Sequence, residues 1–231
     1  HTVTIIDENK EAIYAVAGDV EKAHRAGCDF LSGLCRVAPI PADIAISTNG
    51  GYPLDQNIYQ SVKGMTAAEA TVKKDGVIIM LASADDGIGG NDFYEQMAEE
   101  ENIEKIMEKV LKRGRNETLP DQWMTQILIR ILNRAKVILV SEAPEEMVKD
   151  MHMIPARSIG EALTLAKTIL KNERPTVTAI PLKAPFTLPT ICLSARPRPT
   201  TTAAATVPLP CWSRTTPTGK SMFALPIPVE K

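Results

Sequence analysis

Three neighbouring polar side chains in residues 59–63 could bind a small anion. Tyr59, Gln60 and Lys63 occupy positions i, i+1 and i+4 of one predicted helix. Tyr59 and Lys63 therefore share a helix face, and Gln60 lies about 100° around the axis. An ammonium supplies charge, while an amide and a phenol supply oriented hydrogen bonds, so together they could hold a carboxylate. The spacing also fits a solvated helix face, and spacing alone favours that reading.

Two glycine-rich loops lie before and after this helix. Residues 47–52 follow a predicted strand at 43–47, and residues 86–90 follow a predicted strand at 77–82. Ligands of open α/β sheets bind beyond the carboxyl ends of strands, where the N–H groups of a following helix can hold an anion. The second loop has the pattern Gly-x-Gly-Gly, which matches neither common nucleotide-binding motif. Tight turns required by the fold explain either loop equally well.

Histidines and cysteines offer little material for a metal site. A histidine-based centre would have to use His1, His24 and His152, and we interpret His24 and His152 as structural. None of the four cysteines forms a Cys-x-x-Cys pair. Four cysteines are also too few for a disulfide scaffold of this length, which predicts free thiols in a reducing cytoplasm.

Predicted strands and helices alternate along residues 1–180, after a hairpin at the N-terminus. This alternation implies an α/β, Rossmann-like fold in which a mostly parallel sheet carries helices on both faces. The predicted strands are residues 3–6, 13–17, 43–47, 77–82, 136–141 and 176–180. The predicted helices are residues 20–31, 55–63, 103–111, 122–132 and 158–170, with two more starting near residues 66 and 92.

Local signals set the expected ends of the helix that carries the candidate residues. Asp55 is predicted as its N-cap and Gly64 as the residue just after it. A capping box at residues 66–69 predicts a separate helix. Asp75-Gly76 predicts a turn into the next strand, and Gly33 is expected to stop the first helix.

The composition changes near Pro181. Residues 181–231 contain six of the 26 basic residues, one of the 28 acidic residues and ten of the 17 prolines. We therefore predict an α/β domain at 1–180 and a tail at 181–231 that is disordered or not native. The net charge of −2 argues against nucleic-acid binding, and no apolar run is long enough for a membrane helix. Because the chain begins with His1, we expect it to be a fragment.

Residues 49–64 resemble the signature of the C-terminal domain of nickel-dependent lactate racemases and their relatives. Shorter matching segments occur at residues 17–19, 23–28, 76–80, 86–87 and 121–123. The likeness covers about residues 1–180. It implies that this chain supplies one of two α/β domains that enclose an active site.

The resemblance implies an isomerase that racemises or epimerises a 2-hydroxy acid. Members of this family transfer a hydride to and from a nickel-pincer nucleotide, while a histidine takes the hydroxyl proton. Their Tyr-Gln-x-x-Lys element falls on Tyr59, Gln60 and Lys63, which implies that these three bind substrate and that Lys63 is catalytic. Tyr59, Lys63 and Trp123 would contact the cofactor, although a tryptophan is more often a core anchor.

The resemblance also implies groups that this chain lacks. In this family an N-terminal domain carries the cofactor-tethering lysine, the nickel-ligating histidine and the histidine bases. That domain is the expected partner, and the 231-residue chain alone is expected to be inactive. Ile88 replaces the histidine of the family's Asp-Gly-His-Gly-Gly loop, which leaves a polar role of that loop open.

Two alternatives from other functional classes remain open. A non-catalytic Rossmann-like module would bind a phosphate or carboxylate at the two glycine-rich loops. A structural partner domain would instead expose an apolar face around Tyr52, Ile58 and Trp123 for its missing half.

Overall fold

The computed structural model describes residues 1–7, 9–35, 38–180 and 193–195. These residues form two compact units, one at residues 1–38 and the other starting at residue 39. The predicted boundary at residue 180 and the predicted disorder of the tail concern residues largely outside the described part, and both remain predictions. No helix in the described part combines the length and apolar character needed to cross a membrane.

The first unit is the predicted hairpin followed by a helix. Strand β1 (Thr2–Ile6) pairs antiparallel with β2 (Ala12–Ala17), and helix α1 (Val20–Cys35) follows. Tyr14 of β2 stacks on Phe30 of α1 with ring centroids 4.3 Å apart. Gly33 does not end this helix, contrary to the sequence-based expectation.

The second unit is an α/β sheet with helices on both faces, as predicted. Its elements in chain order are β3 (Ala42–Thr48), α2 (Ile58–Glu69), β4 (Val72–Leu81), α3 (Asn91–Ala98), α4 (Ile103–Lys112), α5 (Gln122–Arg134), β5 (Ala135–Val140), α6 (Glu145–Asp150), β6 (Ile154–Ala156), α7 (Ile159–Leu170), β7 (Val177–Ile180) and β8 (Leu193–Ala195).

The sheet has the strand order β6-β5-β4-β3-β7-β8 among the described residues. Its first five strands are parallel, and β8 pairs antiparallel with β7. The chain adds strands outward from β3 to β6 and then returns to the other side of β3. Ligand crevices of open sheets form at such a reversal, beyond the carboxyl ends of the strands. The loop that follows β3 leads directly into α2.

Alternate residues of the central strands feed two separate cores. Ile78 and Met80 of β4 face the core formed with α2 to α5, whereas Val77 and Ile79 face the core formed with α7. All four side chains are fully buried. A continuous apolar run of this kind is typical of a parallel strand that is covered on both sides.

Helix α2 is longer than the sequence signals predicted. Asn57, and not Asp55, is its N-cap, and the helix passes through Gly64 and the supposed capping box to Glu69. A Cβ at Gly64 would lie 2.7 Å from the Thr48 backbone oxygen and 2.7 Å from the Met80 methyl group. The glycine is therefore there because α2 presses closely on β3 and β4, and not because the helix ends.

Strand β4 begins at Val72, five residues before the predicted strand start at residue 77. Its pairing with β3 shifts between Val72 and Val77, and Asp75 in between has a left-handed φ of 61°. Asp75-Gly76 is thus an irregularity inside a strand, whereas the sequence suggested a turn before one.

Candidate functional site

The start of α2 is held by hydrogen bonds that use its first N–H groups. The buried Asn57 side chain accepts from the Gln60 N–H at 3.0 Å. The N–H groups of Ile58 and Tyr59 donate to the carbonyls of Gly87 and Ile88 at 3.0 and 2.9 Å. The sequence predicts free amides here that could hold an anion. That expectation is wrong for α2, and it removes the main support for phosphate binding at the first loop.

The segment just before α2 is bonded through its main chain to the loop that follows β4. Ala84 and Asp86 donate their N–H groups to the carbonyls of Asp55 and Gln56, at 2.9 and 2.8 Å. Gly89 has a φ of 77°, and a Cβ there would lie within 2.6 Å of the Asn57 amide. The loop after β4 therefore closes directly over the N-cap of α2 and fixes where the helix begins.

Lys63 is an exposed cation that an amide holds. Its Nζ donates to Gln60 Oε1 at 2.6 Å and lies 5.8 Å from the centroid of the Tyr59 ring. Within the described part of the chain, Lys63 forms no ion pair with a carboxylate. The structure thus brings the three predicted side chains together and leaves the ammonium charge without an acidic neighbour in an ion pair.

Tyr59 is half-buried, and its hydroxyl is already committed. It donates to Asp121 Oδ1 at 3.1 Å. The ring makes edge-to-face contacts with Phe93 and Trp123, at centroid distances of 5.7 and 6.0 Å. Burial, together with the neighbouring Asp121 carboxylate, raises the pKa of the Tyr59 phenol above its ordinary value. The phenol therefore stays protonated at neutral pH.

Trp123 is not a core anchor. Its side chain is 48% exposed at the start of α5, beside Tyr59. It also lines an apolar groove of about 520 Å³ between α4 and α5, together with Met107, Leu111, Gln126, Ile127 and Arg130. A larger groove of about 850 Å³ passes Asp75 and Arg134, at the end of the sheet where β5 starts, and contains none of the predicted site residues.

Other candidates from the sequence fall outside this cluster. His152 Nε2 lies 2.9 Å from the Met97 carbonyl oxygen, which fits a structural role, and His24 pairs along α1 with Cys28 at 3.8 Å. No three His, Cys, Asp or Glu side chains of the described residues form a possible metal site. Ile58 is fully buried, so the apolar face expected around Tyr52, Ile58 and Trp123 does not exist in that form.

Sequence reasoning missed Asp121 as a neighbour of Tyr59. Asp121 appeared in the sequence analysis only as part of the short family match at residues 121–123. The contact joins residues 62 positions apart, so no spacing rule could reveal it. The buried Gln96 and Gln122, which organise the loop before α5, were also missed.

Comparison with known proteins assigns this architecture to a family. Residues 37–183 match the family model described as the lactate racemase C-terminal domain. The chain belongs to this family. Its relatives include the lactate racemases of Thermoanaerobacterium thermosaccharolyticum, 54% identical over 170 residues, and of Lactiplantibacillus plantarum, 48% identical over 178 residues.

These matches cover much of this chain but less than half of its lactate racemase relatives. They span 73% and 77% of this chain, and 40% and 42% of the two relatives. The solved structure of the Thermoanaerobacterium lactate racemase apoprotein superposes with a TM-score of 0.70 at 51% identity. It covers 77% of this chain and 43% of that one. The predicted family and fold class are therefore confirmed.

Proposed function

We propose that this chain contributes Lys63, with Gln60 and Tyr59 beside it, to an active site that racemises a small 2-hydroxy acid such as lactate. Family membership supports a racemase, and the arrangement around Lys63 supports its role. The observation that carries the proposal is an exposed ammonium held by the Gln60 carbonyl oxygen beside the Tyr59 ring, with no carboxylate paired to it in the described part.

The chemistry of this cluster suits a carboxylate. An ammonium that already has an acidic partner must lose it before it binds a new anion, whereas the amide that holds Lys63 leaves its charge uncompensated. Gln60 accepts from Lys63 through Oε1, so its amide NH₂ group keeps its donors for a ligand oxygen. Charge-assisted hydrogen bonds from both groups would orient the acid and hold its carboxylate during reaction at the neighbouring carbon.

The expected nickel-pincer nucleotide would meet this chain by contact and not through metal ligation. The donor set fits that role because Tyr59 and Trp123 offer aromatic surfaces, and Lys63 offers a positive charge next to them. The described residues contain no cluster of metal-ligating side chains. When bound, such a group would accept and return a hydride, and its ligands would come from the N-terminal domain expected as partner.

A chimeric enzyme tests this function directly. Residues 1–180 of this chain would replace the matching part of the Thermoanaerobacterium lactate racemase. We expect this chimera to racemise lactate and the 231-residue chain alone to be inactive. Lys63→Met should remove a charged hydrogen bond worth about 1.5–3 kcal/mol, which is about 10–150-fold in kcat/KM.

Lys74→Met is the matched control for the Lys63 variant. Lys74 is exposed, lies at the irregular start of β4 and forms no ion pair with a described carboxylate. The substitution is the same, so loss of a charge alone is accounted for. Racemisation by the Lys63→Met chimera at the rate of the Lys74→Met chimera would remove Lys63 from the mechanism.

A further inference from the structure

We propose that Asp121 is a positioning residue that fixes Tyr59 beside Lys63. This inference rests on the proposed function only for its effect on racemisation. The geometric part concerns two side chains that a sequence motif does not connect. Asp121 stands at the N-cap of α5, and Tyr59 stands in the first turn of α2.

The backbone of Asp121 is left-handed, a conformation that costs an aspartate conformational energy. Its φ of 57° and ψ of 5° are left-handed, a region that glycine occupies more easily. At an N-cap, an aspartate usually accepts from the N–H groups of its own helix. The Asp121 side chain forms no such bond and instead accepts from the Tyr59 hydroxyl. The aspartate is thus not explained by helix capping.

A buried polar network holds the loop that presents Asp121. Gln96 Nε2 donates to the carbonyls of Asp92 and Pro120, at 2.9 and 3.0 Å. Arg113 donates to the side-chain oxygens of Gln96 and Gln122, at 3.3 and 2.9 Å. Both glutamines are buried, so these bonds fix the backbone on either side of Asp121. The backbone position of Asp121 is therefore fixed independently of its hydrogen bond with Tyr59.

The contact between Asp121 and Tyr59 leaves little space for another side chain at the start of α3. A Cβ on Gly90 would lie 3.1 Å from Asp121 Oδ2 and 3.2 Å from Tyr59 Cδ2. Phe93 and Trp123 pack against the Tyr59 ring by edge-to-face contacts. The ring is consequently held by its hydroxyl and by its aromatic neighbours, and Lys63 lies above it.

This arrangement changes what Tyr59 can do for a ligand. The sequence suggested that the phenol donates a hydrogen bond to a bound carboxylate. Because the hydroxyl donates to Asp121, it cannot also donate to a substrate. Tyr59 then acts through its fixed ring, which supports the Lys63 ammonium, and through the lone pairs of its oxygen.

The ionisation of Tyr59 in the 231-residue chain tests the geometric claim. Phenolate absorbance would be recorded over a pH titration, and a Tyr59→Phe difference titration would assign the signal. Asp121→Gly suits the left-handed backbone and removes the acceptor, so a folded variant is expected, and its melting temperature checks this. Loss of the neighbouring negative charge should lower the pKa of Tyr59.

Two further variants separate positioning from general structural damage. Asp121→Asn keeps an acceptor oxygen and tolerates the same backbone, so Tyr59 should remain hydrogen-bonded. Asp150→Asn is the matched control because Asp150 accepts from the hydroxyl of Tyr94 in a similar pair. That change should shift Tyr94 and leave Tyr59 as it was. An unchanged Tyr59 titration in Asp121→Gly would overturn the proposal.

The chimera described above shows whether this positioning serves catalysis. Asp121→Gly should lower kcat/KM about tenfold, and Asp121→Asn should recover most of that loss. A shifted Tyr59 titration with an unchanged rate in an active chimera would overturn the catalytic part of the proposal. If the parent chimera were inactive, the proposed function would fail, while the titration would still support or overturn the contact between Asp121 and Tyr59.

Discussion

Replacing Gly64 by alanine is expected to destabilise the chain, although the same change normally stabilises a helix. In an unhindered helix interior the substitution gains about 1 kcal/mol. Here the added methyl group would lie 2.7 Å from the Thr48 backbone oxygen and 2.7 Å from the Met80 Cε. The Met80 methyl can move, but the carbonyl belongs to the central strand β3. Overpacking of this kind costs about 1–3 kcal/mol.

Because one of the two clashes is with a backbone carbonyl, the cost should lie in the upper part of that range, at about 2–3 kcal/mol. The net effect should then be a loss of about 1–2 kcal/mol in the free energy of unfolding. For a unit of this size, that lowers the melting temperature by about 2–8 °C. Relief of the clash would move α2 away from β3 and stretch the 2.9 Å bond from Ser47 Oγ to the Gly64 carbonyl. Lys63, one residue earlier, would move with it. Urea and thermal unfolding of the purified chain give both values.

Gly160→Ala is the matched control for Gly64→Ala. Gly160 lies in the first turn of α7, where a Cβ would meet only Ser158 Oγ at 3.9 Å. The same chemical change should leave stability unchanged or raise it by up to about 1 kcal/mol. A Gly64→Ala chain as stable as the wild type would refute the claim that close helix-to-strand contact requires this glycine.

Two further variants test contacts outside the cluster of Tyr59, Gln60 and Lys63. The Asp43 carboxyl has its pKa lowered to about 2, mainly by the hydrogen bond from Lys73. Its stabilisation is complete above a pH of about 4 and is lost as the pH falls toward 2. Asp43→Asn should cost about 1–2 kcal/mol at neutral pH, after allowance for solvent screening, and flatten that acid dependence in urea titrations. An unchanged acid slope would contradict this. Gln96→Leu should cost about 1–3 kcal/mol because it leaves the Pro120 carbonyl without its donor and removes one of the two glutamine acceptors of Arg113. Unfolding by urea measures this loss, and wild-type stability would show that the network is dispensable.

The strands and most helices could be predicted because their apolar periods agree with their final burial. Val77 to Met80 formed a continuous apolar run, and both of its faces are covered. Several errors occurred where a glycine was interpreted as the end of a helix. Gly64 and Gly33 lie inside helices, and at Gly64 the reason is a contact with a distant strand. Local sequence cannot show such a contact.

In the candidate site, too, the local grouping of side chains could be predicted and the long-range contacts could not. Tyr59, Gln60 and Lys63 could be grouped from spacing alone because one helix carries all three, and the structure brings them together. The partner of Tyr59 comes from another helix, and the amides of α2 are occupied by carbonyls of a loop 29 positions further on. Such pairings depend on topology, which spacing does not encode.

The main-chain bonds between the start of α2 and the loop after β4 have a consequence for how this protein can diverge. Carbonyls and amides make these contacts, so the placement of α2 does not depend on which side chain residue 88 carries. Ile88 packs its side chain against the neighbouring core while its carbonyl still receives the Tyr59 N–H. A substitution of Ile88 can therefore change the side chains around Tyr59 while α2 still begins at the same residue.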